Sequence, residues 1–171
     1  MDLTAAYREI LVLVGTQTGN SELVAEDIAD HLAELGFECD LTDMADAYPE
    51  LLVDYRQVIV VMCTWSNGTP PDNAVAFVEG VEAVAPSLAH LAYGVIALGD
   101  HDYDPYYCVA AYRLADRLDA LGATRAVDHL DVDGTPRPSH YEAARAWAER
   151  CAQAFAEAFA GVQAGSGQGG G

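Results

Sequence analysis

The sequence predicts an α/β protein, built as a doubly wound parallel sheet of five strands in the order 2-1-3-4-5. Short, wholly apolar runs alternate along the chain with longer segments in which apolar residues recur at helical spacing. Such runs suit strands that are buried on both faces, because right-handed crossover helices cover both sides of a parallel sheet. We expect residues 1–160 of the 171 to form this one domain.

The first half of the chain accounts for three strands. Residues 10–14 are apolar and predict the first strand, and residues 24–35 carry apolar side chains at helical spacing. Residues 37–41 indicate a short second strand, and the mixed acidic stretch 42–56 predicts a helix with irregular ends. The β-branched run QVIVVMC, residues 57–63, predicts a third strand buried on both faces.

The second half adds two strands. Residues 74–84 have a helical pattern and precede the apolar fourth strand, 93–99. A helix with leucines on one face then ends at Gly122, because glycine readily takes the left-handed conformation that closes a helix. Residues 124–132 predict the fifth strand.

The last helix has its own start signal. Ser139 is followed three residues later by Glu142, the spacing of a capping box. We expect this helix to run to about Ala160. Residues 161–171 are rich in glycine and cannot bury a core, so we expect a flexible tail.

The charge of the chain excludes several classes of function. There are 27 acidic residues against 8 basic ones, a formal net charge of −19. Nucleic acids and anionic membranes need basic patches, so we expect neither as a partner. All the basic residues are arginine. Without lysine the chain cannot form a Walker A nucleotide loop, a response-regulator receiver or a Schiff base.

The cysteines and the N-terminus indicate a location. Cys39, Cys63, Cys108 and Cys151 are scattered with no C-x-x-C pair, as is typical of thiols in a reducing compartment. The N-terminal residues lack the basic region and apolar core of a secretory signal, and no apolar stretch approaches membrane-spanning length. We therefore expect a cytoplasmic protein.

Three unusual loops follow strands one, three and four of the predicted sheet. They comprise residues 15–21, 64–73 and 99–108. In a doubly wound sheet, ligands bind beyond the carboxyl ends of the strands, where the strand order reverses. The three strands are neighbours in the expected order, so their loops should converge on one site.

The first loop is suited to an anion although it contains no basic residue. It lacks both the G-x-G-x-x-G fingerprint and the Walker A lysine. It offers N–H groups at a helix N-terminus together with the side chains of Thr16, Gln17, Thr18, Asn20 and Ser21. Hydroxyls, amides and N–H groups can together hold a phosphate. An ordinary hydroxyl-capped helix start explains the same residues equally well.

The other two loops carry aromatic side chains. Trp65 lies just past a buried strand, and Tyr103, Tyr106 and Tyr107 lie among three aspartates of the third loop. Rings from two converging loops could stack on a flat ligand, and a flat ring beside a phosphate indicates a mononucleotide such as FMN. The alternatives are a tryptophan packed on a neighbouring helix and a solvated acidic loop.

Three stretches of the chain carry a shared pattern: GTQTGNSELVAEDIADHL, TWSNGTPPDNA and LGDHDYDPYYCVAAYRLADRLDALGA. In order and spacing they resemble the FMN-binding segments of the flavodoxin family, over about residues 8–160. The resemblance is closest to the MioC-like flavodoxins and to the FMN domains of diflavin reductases, such as the sulfite reductase flavoprotein and cytochrome P450 reductase.

The resemblance implies a role for each matched residue. The phosphate would be bound by Thr16, Gln17, Thr18, Gly19, Asn20 and Ser21. One face of the isoalloxazine ring would lie along Thr64, Trp65, Ser66, Asn67 and Gly68. The ribityl chain and the pyrimidine edge would lie near Leu98, Gly99 and Asp100. Stacking on the other face is implied for Tyr103, and closure of the third loop for Tyr107 and Cys108.

Two departures from the family pattern bear on these roles. Ser66 stands where many members have glycine, whose backbone can reorient toward the reduced flavin because positive φ costs glycine little. Ser66 should make that reorientation harder. The third loop is one residue longer between its tyrosine and its cysteine, so Tyr106 or Tyr107 could compete with Tyr103 for the ring.

The resemblance implies one-electron transfer through bound FMN, with no catalytic residue contributed by the protein. The spacing of the histidines predicts no metal site. We expect a monomer that receives electrons from a separate, basic-surfaced NAD(P)H-dependent reductase. Its acceptor would be an enzyme such as an iron–sulfur or haem protein. The alternative is an FMN-dependent NAD(P)H:quinone oxidoreductase. A hydrolase using Ser66 or Cys63 is disfavoured, because the chain has no G-x-S-x-G nucleophile elbow.

Overall fold

The computed structural model describes residues 8–166, which form one sheet covered by helices. The strands are β1 Glu9–Gly15, β2 Glu38–Asp43, β3 Gln57–Cys63, β4 Ala92–Gly99, β5 Thr124–Arg125 and β6 Leu130–Asp133. The helices are α1 Asn20–Glu34, α2 Leu51–Asp54, α3 Val75–Val84, α4 Val109–Ala120 and α5 Pro138–Ser166. Short 3-10 turns lie at Met44–Asp46, Asp72–Ala74 and His101–Tyr103. No helix within the described range is long and apolar enough to cross a lipid bilayer.

The strands pair in parallel in the order β2-β1-β3-β4, with β5 and β6 both on the outer side of β4. The predicted order 2-1-3-4-5 is confirmed. The fifth strand, predicted as continuous over 124–132, is instead two short pieces. Between them the carbonyl of Asp128 accepts a 2.8 Å hydrogen bond from the indole N–H of Trp147 on α5. A side chain from α5 thus takes a backbone group that a continuous strand would bond to β4.

Alternation along the strands gives the sheet two separate cores. In β1, Leu11 and Leu13 face the core that α3 and α4 cover, whereas Ile10 and Val12 face the core that α1 and α5 cover. Strands β3 and β4 are buried on both faces, as their unbroken apolar runs predict. The central strands are thereby held firmly, and their carboxyl ends give the loops a fixed base.

The start of the last helix differs from the prediction. Helix α5 begins at Pro138, so Ser139 lies inside its first turn and the predicted capping box at Ser139 is wrong. Proline suits the first helical position, because the N–H that it lacks would have no helical acceptor there. The N–H of Arg137 is bonded instead to Nδ1 of His140 at 3.0 Å, so a histidine takes the place of the expected glutamate.

The end of α5 also lies further along the chain than expected. The helix is described to Ser166, past the predicted end near Ala160. The flexible tail over 161–171 stays a prediction, since residues 167–171 lie outside the described residues.

Candidate functional site

A cleft of about 370 Å³ lies at the carboxyl edge of the sheet, where the loops after β1, β3 and β4 meet. The three loops predicted to converge do so, and a fourth loop, which follows β6, completes the wall. The cleft is lined by Thr16, Gln17, Thr18, Asn20, Ser21, Cys63, Thr64, Trp65, Ser66, Leu98, Gly99, Asp100, Tyr103, Tyr106, Gly134 and Thr135.

The loop after β1 enters α1 without a side-chain cap. Gly19 has φ +94°, which glycine tolerates, and its N–H donates to Oγ1 of Thr16 at 2.9 Å. The first helical hydrogen bond runs from the Leu23 N–H to the Gly19 carbonyl at 3.1 Å. The N–H groups of Asn20 and Ser21 therefore have no helical acceptor, and together with the helix dipole they attract an anion.

The environment of the Ser21 side chain bears on whether this loop fits a phosphorylated ligand. Its side chain is buried, yet its hydroxyl has no hydrogen-bond partner among the described residues. A buried polar group without a partner costs about 1–3 kcal/mol, so such groups are rare unless a ligand or water completes them. A phosphate at the helix N-terminus would accept a hydrogen bond from this hydroxyl. The residues present thus fit a bound phosphate.

The side chain of Gln17 forms hydrogen bonds to another segment of the protein. Its Nε2 donates to Oδ2 of Asp72 at 3.1 Å, and its Oε1 accepts from the Asp72 N–H at 2.8 Å. These two bonds tie the loop after β1 to the segment that precedes α3. In this conformation the Gln17 amide holds the loop in place, and the donors left for an anion are hydroxyls, backbone N–H groups and the Asn20 amide.

Cys63, the last residue of β3, lines the cleft beside the same loop. Burial raises the pKa of its thiol, and this effect exceeds the opposing influence of the Gln17 backbone and the Ser21 hydroxyl. The Ser21 hydroxyl adjoins the thiol without forming a well-aligned hydrogen bond. A thiol that stays protonated at neutral pH is a poor nucleophile, which argues against a hydrolase acting through Cys63.

The loop after β3 forms a tight hairpin. Trp65 and Thr69 exchange N–H···O bonds of 2.8 and 3.0 Å, and the Thr69 hydroxyl also donates to the Trp65 carbonyl. Between them, Ser66 and Gly68 have φ of +47° and +86°. The left-handed region costs a residue with a Cβ about 1–2 kcal/mol, so the hairpin holds Ser66 under strain.

Thr64 anchors this hairpin to the rest of the site. Its N–H donates to the Leu98 carbonyl at 3.1 Å, and its Oγ1 accepts from the Ala110 N–H at 2.9 Å in the first turn of α4. Trp65 follows from this fixed backbone, and 44% of its surface is exposed. A half-exposed indole on the wall of a cleft offers a stacking surface to a flat ligand.

The three tyrosines of the third loop have different environments. Tyr103 is 65% exposed and Tyr106 is 40% exposed, and both line the cleft. Tyr107 does not line it. Its ring stacks on His101, with 3.7 Å between the ring centroids. Of the three tyrosines, Tyr103 and Tyr106 are therefore the ones placed where a ligand in the cleft could contact them.

Two glycines permit close packing around these rings. A Cβ on Gly68 would lie 3.1 Å from Cδ1 of Tyr106, so the absence of a side chain lets this ring approach the hairpin. A Cβ on Gly99 would lie 2.9 Å from both the N and the Sγ of Cys108. Cys108 is itself buried, and burial raises the pKa of its thiol to about 12. We interpret Cys108 as a packing residue of the third loop.

Most of the predicted binding residues line the cleft, and five do not. Those five are Gly19, Asn67, Gly68, Tyr107 and Cys108. The prediction omitted four residues that do line it: Cys63, Tyr106, Gly134 and Thr135. Gly134 and Thr135 follow β6, and the N–H of Gly134 donates to the Gly99 carbonyl at 2.8 Å. The rule used for the first three loops, applied to the fifth predicted strand, would have found this pair.

Acidic side chains flank the third loop. Asp100 lines the cleft, and Oδ1 of Asp133 accepts a 3.0 Å hydrogen bond from the N–H of His101, which ties the third and fourth loops together. Asp102 and Asp104 are exposed on the same loop. Among the residues that the structure describes, no arginine lines the cleft. A bound anion would thus be held by dipoles and hydrogen bonds alone.

Comparison with known proteins identifies relatives of two kinds. The chain is 34% identical over 161 residues to the sulfite reductase [NADPH] flavoprotein alpha-component of Bacillus subtilis (strain 168), a match that covers 94% of this chain and 26% of that protein. It is 36% identical over 143 residues to flavodoxin YqcA of Pectobacterium carotovorum subsp. carotovorum, covering 82% of this chain and 93% of that one. This chain therefore spans about a quarter of the reductase component and nearly all of the flavodoxin.

Solved structures of flavodoxins also resemble this chain. Oxidised flavodoxin 2 from Bacillus cereus matches with a TM-score of 0.76 at 28% identity, covering 87% of this chain and 98% of that one. Oxidised flavodoxin 1 from the same organism matches with a TM-score of 0.76 at 23% identity, covering 85% of this chain and 97% of that one, which supports the fold alone. The Flavodoxin family model matches residues 12–148, a range that contains the first three loops of the cleft. The cofactor implied is a flavin, and the chain belongs to the flavodoxin family.

Proposed function

We propose that this protein binds FMN in the cleft and carries single electrons between a reductase and an acceptor enzyme. The observation that carries the proposal is a pairing within one cleft. One end is a helix N-terminus with the unpartnered Ser21 hydroxyl, and the other end presents the exposed rings of Trp65 and Tyr103. The first suits the phosphate of FMN and the second suits its ring. When bound, FMN supplies the redox chemistry.

The phosphate would be bound without a neutralising cation. The N–H groups of Asn20 and Ser21, the hydroxyls of Thr18 and Ser21 and the dipole of α1 would bind it. The phosphate would then keep its negative charge within a protein of net charge −19. Negative charge near the ring opposes the addition of electrons, so we expect a low reduction potential.

The partners follow from the surface charge. The aspartates of the third loop favour basic-surfaced partners, whose approach they would steer. We propose a separate NAD(P)H-dependent reductase as the donor and an iron–sulfur or haem enzyme as the acceptor. The match to an NADPH-linked flavoprotein component supports this direction of electron flow. The same proposal includes a monomeric state and a reducing, cytoplasmic compartment. The reducing compartment is consistent with the four cysteines, none of which forms a disulfide.

The second candidate is an FMN-dependent NAD(P)H:quinone oxidoreductase. Hydride transfer requires a nicotinamide over one face of the flavin ring. The high exposure of Tyr103 favours this candidate, because a weakly packed ring could yield its place to a nicotinamide. Stacking of Trp65 and Tyr103 on both faces of the flavin would instead exclude it, and we prefer the carrier on that ground.

The test starts from FMN-free protein. We expect it to bind one equivalent of FMN, observed by quenching of flavin fluorescence. Thr18→Glu places a carboxylate at an exposed position of the loop after β1, where the phosphate would bind, and it should abolish that uptake. Thr124→Glu is the matched control, because Thr124 is exposed at the start of β5, the opposite edge of the sheet. Failure of the wild-type protein to take up FMN would overturn the proposal.

A second measurement separates the two candidates. FMN-loaded protein is mixed anaerobically with NADPH, with or without a catalytic amount of a flavin-dependent NADPH reductase. An electron carrier should be reduced rapidly only when the reductase is present. Equally rapid reduction by NADPH alone would favour the quinone oxidoreductase.

A further inference from the structure

Asn73 lies at the junction of three chain segments, just before α3. Its Oδ1 accepts a 2.9 Å hydrogen bond from the N–H of Thr16, in the loop after β1. Its Nδ2 donates to the Val14 carbonyl at 3.3 Å, near the end of β1, and to Oδ1 of Asp43 at 2.9 Å, at the end of β2. One half-buried amide thus joins groups that lie 30 to 59 positions away in the sequence.

The bonding pattern requires an amide at this position. The partners are one N–H donor and two oxygen acceptors, which only a side chain with both an acceptor and two donor hydrogens can satisfy. A carboxylate in its place would face the carboxylate of Asp43 and the carbonyl of Val14. An apolar side chain would leave the Thr16 N–H without its acceptor.

The neighbouring residue provides a second connection between the same two segments. Asp72 makes the paired bonds with the side chain of Gln17 described above. Two consecutive residues, Asp72 and Asn73, therefore hold two consecutive residues, Thr16 and Gln17. Asp43, which accepts a hydrogen bond from Asn73, is itself held in place, because its Oδ1 also accepts a hydrogen bond from the Ala45 N–H at 2.8 Å.

All of these bonds join protein groups to one another, so they hold the loop after β1 without a contribution from a ligand. Thr16 and Gln17 lead directly into Thr18 and Gly19, whose conformation sets the direction of the N–H groups at the start of α1. A loop that was free to move would lose backbone entropy when it closed on a phosphate, and that loss would weaken binding. A loop that is already held loses less.

We propose that Asn73 is a positioning residue that preorganises this loop for phosphate and thereby sets the preference of the site for FMN over riboflavin. The proposal rests on the proposed FMN function. Riboflavin has the same ring and ribityl chain but no phosphate, so it reports on the rest of the site. Asn73 is not among the residues that line the cleft, and of its three hydrogen-bond partners Thr16 is the one that does, so we expect its effect to pass through Thr16.

The experiment compares FMN and riboflavin binding to FMN-free protein by fluorescence titration. In Asn73→Asp we expect the affinity for FMN to fall at least about tenfold and the affinity for riboflavin to change less than about twofold. Gln153→Glu is the matched control, because it adds the same charge at an exposed position of α5. It should leave both affinities unchanged.

A second variant tests whether the effect depends on the bond to Asp43. Combining Asn73→Asp with Asp43→Asn exchanges the amide and the carboxylate, so that the two side chains can again form a hydrogen bond. We expect the double variant to recover part of the lost preference for FMN. No recovery would mean that the bond to Asp43 does not contribute to the positioning, and it would overturn that step of the proposal.

A flavin-free measurement keeps the proposal testable on its own. Hydrogen exchange of the Thr16 amide in FMN-free protein should be at least about tenfold faster in Asn73→Ala, which removes its acceptor without adding a charge, than in the wild type. If Asn73→Asp does not fold, Gln17→Ala removes the second connection and should lower the FMN preference in the same direction. Unchanged FMN affinity, equal weakening of both ligands, or unchanged Thr16 exchange would each overturn the proposal.

The two proposals fail in distinguishable ways. If the wild-type protein takes up no FMN, the proposed function is wrong. The Thr16 exchange then still decides whether Asn73 holds the loop.

Discussion

The two ends of the cleft are built differently. At the phosphate end, Asn73 and Gln17 bond the loop to neighbouring segments, and the Ser21 side chain is buried. At the ring end, Trp65 and Tyr103 leave much of their surface exposed. A carrier must retain its cofactor and also let a partner approach the ring. On the proposed function, the first end would retain the flavin and the second would present it to a partner.

The largest expected effect is at the ring end. Tyr103→Ala removes a stacking surface, so we expect the affinities for FMN and riboflavin to fall together by about tenfold. Tyr107→Ala is the matched control and should change both by less than about twofold, because Tyr107 stacks on His101 outside the cleft. Fluorescence titration measures both affinities. A larger loss in Tyr106→Ala than in Tyr103→Ala would assign the stacking to Tyr106.

At the phosphate end, Ser21→Ala should have opposite effects on the two states of the protein. It removes a buried hydroxyl without a partner, so the free energy of unfolding of FMN-free protein should rise by up to about 1 kcal/mol. It also removes a donor to the phosphate, so FMN should bind several-fold more weakly while riboflavin is unaffected. Denaturant titration and fluorescence titration check the two parts. Destabilised FMN-free protein would mean that the hydroxyl has a partner there.

Between the two ends, Ser66→Gly tests the strained hairpin. Glycine tolerates the φ of +47°, so we expect the free energy of unfolding to rise by about 0.5–1 kcal/mol. By the family resemblance, glycine should also ease backbone reorientation toward the reduced flavin. We therefore expect the separation of the two one-electron potentials to change in Ser66→Gly. Unchanged potentials from a spectroelectrochemical titration would limit the role of Ser66 to the fold.

The smallest effect expected at neutral pH concerns Cys108, which packs behind the cleft. Burial raises the pKa of its thiol from 9.0 to about 12, so above pH 9 the unfolded chain loses this proton before the folded protein does. The contribution of Cys108 to stability is therefore complete below pH 9 and is lost as the pH rises toward 12. Denaturant titrations from pH 8 to 10.5 should show a shallower decline in Cys108→Ala than in the wild type. Parallel declines would contradict the raised pKa.

Much of the fold follows from local patterns. Apolar runs and helical spacing predict the elements, because strands buried on both faces admit few polar residues wherever they lie in the chain. The right-handed crossover rule then limits how such strands can be ordered. The break in the fifth strand could not be read in this way. It depends on the indole of Trp147 reaching the Asp128 carbonyl from another element.

In the candidate site, too, some features could be predicted from local sequence patterns and others depend on the tertiary structure. The sequence by itself determined the strand order, the three loops at one edge and the kinds of side chain that meet there. The tertiary structure decided that Tyr107 stacks on His101, that Gly134 and Thr135 join the cleft, and that Asn73 bonds to Thr16. The physical reason is that sequence patterns are local, whereas these contacts join residues that are far apart in the chain. Periodicity reports how each residue relates to its own helix or strand, whereas the direction of a side chain depends on partners brought together by folding.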